Sequence, residues 1–275
     1  MRNPGRPAVI VPTQALDADE LTAGCAAAAA TGTVDAVEWR IDPLLVVASG
    51  SARKGAYSLA EAALRLLPRA LTAGLPILVT VRTGFEGGQV EITEDDYAEV
   101  VRELIAGVAD VEADAGTAST AVQAVAGDLG AVDSGVPVAV DVETDRAESG
   151  SLIASARDAG VPVVASHHNF ESTDSAERLL KTFAAMGEAG ADVAKVAMMP
   201  QAPADVLRLL EATASADASL PVPVLGISMG SLGRTSRIMG ADFGSCATFA
   251  QIGQASAPGQ IEASVLAEIL DRVTG

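Results

Sequence analysis

Seven times along this chain a short apolar run gives way to a stretch rich in Ala and Leu with helical spacing. The runs show little polar alternation, as expected of parallel strands buried on both faces. Parallel neighbours need a crossover between them, and the helical stretches supply it. Strands are expected at Val9–Val11, Ala36–Ile41, Ile77–Val81, Val138–Val142, Val161–Ala165, Asp192–Ala197 and Val222–Ile227, with a weak eighth at Asp242–Gly244. Helices are expected at Asp17–Ala30, Ser58–Ala73, Thr93–Ala106, Ser151–Ala159, Asp174–Gly187, Ala204–Thr213, Leu232–Met239 and Ile261–Val273. This order describes an α/β chain, a (β/α)8 TIM barrel forming a single domain over residues 1–275. A doubly wound sheet would also alternate, but no Gly-rich phosphate loop follows the first strand. Residues 108–135 read as an insertion or an extended helical segment. They contain Asp110-Val111-Glu112, a rival to Asp141-Val142-Glu143 for the end of strand four; the apolar run Val136–Val140 favours the second.

Composition narrows the partners. Apolar residues are 49% and charged residues 20% of the chain, enough for a large core and unlike a disordered segment. Aromatics are only 3%, so the core must be aliphatic. The net charge of −18 repels phosphate backbones and anionic membrane surfaces, so neither nucleic acid nor membrane is expected as a partner. An anionic substrate would need locally placed arginines. Cys25 and Cys246 lie far apart and follow no metal-ligand spacing, so both are read as free thiols of a cytoplasmic protein. No signal-peptide run follows the N-terminus, and the alanines at 26–30 are too few to span a membrane.

Chemistry in such barrels collects at the C-terminal ends of the strands, and the scarce titratable residues fall there. Only three lysines occur, Lys54, Lys181 and Lys195, and only two histidines, His167 and His168. Lys195 sits among apolar strand residues. It is either a snorkelling edge lysine or a desolvated amine able to form an imine with a ketone. His168 is either a loop histidine or a proton-transfer group; His167 reads as structural. Glu38 and Arg40 share a strand face, as an ion pair or as ligand groups. Arg82 needs a carboxylate or an anion beside it. Arg237 reads equally as a solvated helix residue or as an anion site. Asp141 and Glu143 lack a His or Cys companion, so no metal is expected.

The segments VEWRID (37–42), TVRTGFEGG (80–88), VDVE (140–143), VVASHHNF (163–170), ADVAKVAMMPQ (191–201), GISMGSLGRTSRIMGADFGSCATF (226–249) and SAPGQI (256–261) together resemble type I 3-dehydroquinate dehydratase. They run in family order over almost the whole chain. The resemblance implies a TIM barrel, a homodimer, no metal and no organic cofactor. It implies a lyase that dehydrates 3-dehydroquinate to 3-dehydroshikimate through a lysine Schiff base. By that likeness Lys195 is the imine-forming lysine, His168 the general acid and base, and Glu86 the group that sets its state. Glu38, Arg40 and Arg82 would hold substrate hydroxyls and the ketone region. Met229 would pack on the ring, Arg237 would pair with the carboxylate, and Ser256 and Gln260 would close over the ligand. One departure stands out: Asn169 occupies a place where the family commonly has Asp. If that neighbour matters, the His168 pKa is expected to shift. A class I aldolase or transaldolase would also explain Lys195, though not SAPGQI or the histidine pair. A non-catalytic sugar-acid binder is the remaining alternative.

Overall fold

The computed structural model describes residues 6–50, 59–115, 136–253 and 256–274. Eight parallel strands run β1 (Ala8–Thr13), β2 (Ala36–Arg40), β3 (Ile77–Thr80), β4 (Val138–Glu143), β5 (Val163–Asn169), β6 (Val193–Met198), β7 (Val224–Ser228) and β8 (Ala247–Gln251). Their spatial order is sequential from β1 to β7, with β8 beside β1 and the short β9 (Ile261–Glu262) beyond it. The ring closes where the Cys246 amide donates to the Val224 carbonyl at 2.9 Å, next to the bridge between Val224 and Ser245. The described helices are α1 (Ala18–Ala30), α2 (Asp42–Gly50), α3 (Leu59–Leu71), α4 (Glu94–Ala115), α5 (Ser149–Ala159), α6 (Ala176–Glu188), α7 (Pro203–Ser219), α8 (Arg234–Met239) and α9 (Ala263–Thr274).

Two apolar cores result. The larger lies between strands and helices and includes Trp39, Tyr97, Phe183 and Leu209. The smaller fills the barrel with Ile10, Ala36, Leu78, Ala139, Val164, Val193, Leu225 and Phe249. Side chains alternate across a strand, so every second residue points inward. Taken two residues at a time, the inward series turns polar toward the C-terminal mouth. On β2 it is Ala36, Glu38, Arg40; on β3 and just past it, Leu78, Thr80, Arg82; on β4, Ala139, Asp141, Glu143. On β5 it is Val164, Ser166, His168, and on β6 it is Val193, Lys195, Ala197. The barrel floor is therefore oily and its upper layers are charged.

Several expectations change. Asp242–Gly244 is not the eighth strand; Gly240–Phe243 is a 3-10 turn ended by Gly244 at φ +89°, and β8 follows at Ala247–Gln251. The short run Ala247–Phe249, with Thr and Phe that suit strands, carries that position. Helix α2 was not expected: its Asp-Pro-Leu-Leu-Val-Val run is apolar and β-branched, but Pro43 sits in its first turn, where a missing N–H costs nothing. β5 runs on through Asn169, which places His168 inside the strand and not in a loop. Asp110 lies in α4, which leaves β4 to end at Asp141-Val142-Glu143. The remainder of the expected insertion, residues 116–135, lies outside the described residues, as does Lys54. Neither Cys25 nor Cys246 forms a disulfide; burial pushes the Cys25 thiol up to about 11, out of reactive range. Among the described residues no helix is long and apolar enough to cross a membrane.

Candidate active site

At the mouth, a cavity of about 520 Å³ is lined by Glu38, Arg40, Arg82, Glu86, His168, Phe170, Lys195, Met229, Arg237, Phe249, Ser256 and Gln260, among others. All ten residues singled out from the sequence line it.

Arg82 stands at the centre of the charges. Its NH1 donates to Glu86 Oε2 (2.9 Å), Glu143 Oε1 (3.1 Å) and Ser166 Oγ (3.1 Å), and its NH2 donates to Asp141 Oδ1 (2.8 Å). Ser166 donates on to the same Asp141 oxygen at 2.7 Å. The guanidinium is 3% exposed and the three carboxylates are fully buried. Burial alone would favour losing the proton, but Asp141, Glu143 and Glu86 hold Arg82 well above its ordinary pKa. Much of its donor capacity is thus committed to the protein. Asp141 and Glu143, given no role from sequence, are its main anchors; the VDVE strand end was the available signal.

Glu86 reaches His168 from the Gly84–Glu86 turn: its Oε2 lies 2.8 Å from His168 Nδ1. That turn needs its glycines. Gly87 has φ +79°, and a Cβ there would meet the Phe170 ring at 2.4 Å. A Cβ on Gly88 would lie 1.9 Å from the Arg82 carbonyl oxygen. Burial, Glu143 and Asp141 push the Glu86 carboxyl up to about 8, against the pull of Arg82. Burial, then Arg82, Lys195 and Arg40, hold His168 well below its ordinary value. The imidazole is therefore neutral at physiological pH.

Lys195 is buried, not snorkelling. Its Nζ lies 3.5 Å from Glu38 Oε1, 3.9 Å from Asp141 Oδ2 and 4.5 Å above the Phe249 ring. Burial disfavours charge on Glu38, yet Lys195, Arg40, Arg82 and the Thr80 hydroxyl together hold its pKa down. Arg40 does not pair with Glu38 directly; it forms a bidentate bond to Asp42 at 2.6 and 2.8 Å. Arg237, which the sequence left open between a solvated helix residue and an anion site, is 2% exposed. It donates to the Phe249 and Pro258 carbonyls at 3.2 and 3.0 Å, and its Nε is buried without a partner. Among the described residues no carboxylate pairs with it, and burial lowers its pKa to about 10. A buried cation with only carbonyl partners keeps donor capacity that an anion could use. Ser256 and Gln260 bind each other beside it, the Ser256 amide donating to Gln260 Oε1 at 2.9 Å.

Asn169 turns away from His168. Its Oδ1 accepts from the Glu171 and Ser172 amides at 2.9 and 3.0 Å, shaping the loop after β5. The carboxylate that meets His168 is Glu86, so the departure at Asn169 leaves that contact intact. His167 points out of the barrel, 3.1 Å from Asp145 and 3.5 Å from Asp174. Glu86, Asp145 and His167 present atoms within 4.8 Å of one another. Within that group His167 Nδ1 lies 3.1 Å from Asp145 Oδ2 and 4.0 Å from Glu86 Oε1.

The family described as Type I 3-dehydroquinase matches residues 9–131 and 129–274. A 3-dehydroquinate dehydratase of Klebsiella pneumoniae is 36% identical over 249 residues, covering 88% of this chain and 85% of the relative. One of Enterococcus faecalis is 34% identical over 267 residues, 97% of this chain and 92% of the relative. The type I enzyme of Clostridium difficile, solved with covalent modified comenic acid, superposes with a TM-score of 0.76 at 27% identity, covering 98% and 93% of the two chains. The Geobacillus kaustophilus enzyme gives 0.73 at 27% identity, covering 97% and 91%.

The Arg82 cluster has a pH signature. Arg82→Met leaves Glu86, Asp141 and Glu143 buried without their shared cation, at a cost of about 3–5 kcal/mol. Carboxyls in that setting have folded-state pKa values above their unfolded ones. The folded variant therefore takes up protons and recovers stability as the pH falls. Urea unfolding at about pH 5 and about pH 8 is expected to show the smaller deficit at the lower pH. An equal deficit at both would contradict this account of the cluster.

Proposed function

The chain belongs to the type I 3-dehydroquinase family, and from that premise we propose that it dehydrates 3-dehydroquinate to 3-dehydroshikimate through a Lys195 imine with His168 as proton carrier. The observation that carries this reading is a buried lysine and a histidine held by a buried carboxylate, lining one cavity with Arg237, which has no carboxylate partner among the described residues. Each part answers a demand of the chemistry.

A proton alpha to a ketone is hard to remove because the carbanion is unstable. A protonated imine provides the electron sink. The Lys195 amine adds to the ketone carbon and water leaves, giving that imine. Glu38 and Asp141 lie beside Nζ and stabilise the cationic nitrogen; Phe249 walls it from bulk water. His168 then removes the neighbouring proton, forming an enamine. With Glu86 ionised, its Oε2 accepts the Nδ1–H, so Nε2 carries the free lone pair. The enamine expels the hydroxyl, which leaves as water with the proton from His168. Water hydrolyses the imine and frees the lysine, for a net loss of one water. Arg237 pairs with the substrate carboxylate. Ser256 and Gln260 close over the ligand, Arg40 and Met229 bound the ring, and Arg82 acts from beneath as the counter-ion that fixes Glu86. No cofactor has a part in these steps. An aldolase would use the lysine in the same way, but it gives no account of the Glu86–His168 pair beside Arg237 and the Ser256–Gln260 closure.

The proton on the Glu86–His168 pair gates the base. It is bound below about 8 and released above, so activity is present at high pH and lost as the pH falls. We expect kcat/KM for 3-dehydroquinate to rise with pH through a midpoint near 8. His168→Ala is expected to lower kcat about 10²–10⁴-fold. A pH-independent wild-type profile, or full activity in His168→Ala, would exclude the histidine as proton carrier.

Arg237→Ala is expected to act on KM. Losing a charge-assisted pair to a carboxylate costs about 1.5–3 kcal/mol, or roughly 10- to 100-fold in apparent affinity. An unchanged KM would remove Arg237 from the carboxylate site.

A further inference from the structure

We propose that Arg146, outside the cavity, is a positioning residue for the acid–base pair. It clamps the turn that carries Glu86 onto β4 and so fixes Glu86 against His168. The inference rests on the roles given to His168 and Glu86 above.

Arg146 lies in the loop after β4, with its side chain only 8% exposed. Its donors reach three separate elements. Nε donates to Glu143 Oε2 at 3.1 Å, NH1 to Glu94 Oε1 at 2.7 Å at the start of α4, and NH2 to the Thr83 hydroxyl. The guanidinium also sits 5.5 Å from the Phe85 ring centre and 5.1 Å from that of Tyr97. Thr83 and Phe85 belong to the turn that holds Glu86. Phe85 itself is 68% exposed.

The bonds close into a ring. Arg146 donates to Thr83 Oγ1, Thr83 Oγ1 donates to Glu143 Oε2 at 2.7 Å, and Arg146 Nε donates to that same oxygen. Glu143 Oε1 takes the Thr83 amide at 2.8 Å and Arg82 at 3.1 Å. Both lobes of Glu143 therefore hold the turn, and Arg146 is the only cation on its outer lobe among the described residues. Arg82 fixes Glu86 from inside the barrel, and Arg146 fixes the backbone beneath Glu86 from outside. The planar fork matters: a lysine carries one point charge and cannot meet three acceptors on three elements while lying against two rings. The titratable and charged groups that face Glu86 are Arg82, Glu143, Asp141, Asp145, His167 and His168. Loosening the turn changes its distance from every one of them.

Arg146→Met keeps much of the stem's packing and removes the fork. Its kcat is expected to fall by up to about 10², the scale of a 1 Å misplacement, with KM little changed. The midpoint of the pH profile should move, because Glu86 no longer sits at one fixed distance from His168. Arg146→Lys should fall between the two. A variant with lowered thermal stability but wild-type kcat and pH midpoint would overturn the proposal and leave Arg146 a purely structural residue. If the methionine variant does not fold, the lysine variant is read in the same way, and wild-type kcat and midpoint there overturn it. Failure of the underlying reading is distinguishable, because it appears in the wild-type enzyme as a flat pH profile.

Discussion

A single buried guanidinium organises this barrel mouth. Arg82 ties the end of β3 to Asp141 and Glu143 on β4, to Ser166 on β5 and to the turn bearing Glu86. Each tie has a consequence one step further out. Asp141 is left beside Lys195, Glu86 beside His168, and Glu143 beside the loop that Arg146 closes. Buried charges of one sign would be prohibitively costly, so the cluster must come close to neutrality. The carboxylates are Glu38, Asp42, Glu86, Asp141 and Glu143; the cations are Arg40, Arg82, Lys195 and Arg146. Among these carboxylates Glu86 has its pKa pushed up to about 8 by burial and by Glu143 and Asp141. Arg237 stands apart from this set with only carbonyl partners, and its positive charge is left for a ligand.

This separation explains how a chain of net charge −18 can receive an anion. The global field opposes the substrate, but the field inside the pocket is set by groups within a few ångströms. Lys195 and Arg237 line the same cavity from β6 and α8, and each has a distinct environment. The lysine lies beside Glu38 and Asp141, which balance its charge inside the barrel. Among the described residues the arginine has no such carboxylate, only carbonyl partners.

Much of the architecture was legible because strands buried on both faces leave continuous apolar runs. The eighth strand was missed because Ala-Thr-Phe-Ala-Gln offers no continuous branched aliphatic run, and α2 because its residues favour strands taken singly. Lys195 and His168 stood out by rarity, and Glu86 by matching the family's order. The supporting layer did not stand out. Arg82 meets partners 59, 61 and 84 residues away, and only the barrel's register brings them together. Arg146 lies in a loop whose sequence offers no periodicity at all, and its contacts appear only when β3, β4 and α4 are assembled. Arg237 could not be assigned between solvent and core, because a six-residue helix has too few turns to show a buried face.

The central claim is that Lys195 forms a covalent imine with the substrate ketone. The most direct test is borohydride reduction of the enzyme in the presence of 3-dehydroquinate, followed by peptide mass spectrometry, with formation of the enone product followed in parallel by its ultraviolet absorbance. The account predicts a stable adduct confined to the peptide that carries Lys195. Enone formation with Lys195 left unmodified after reduction would contradict it.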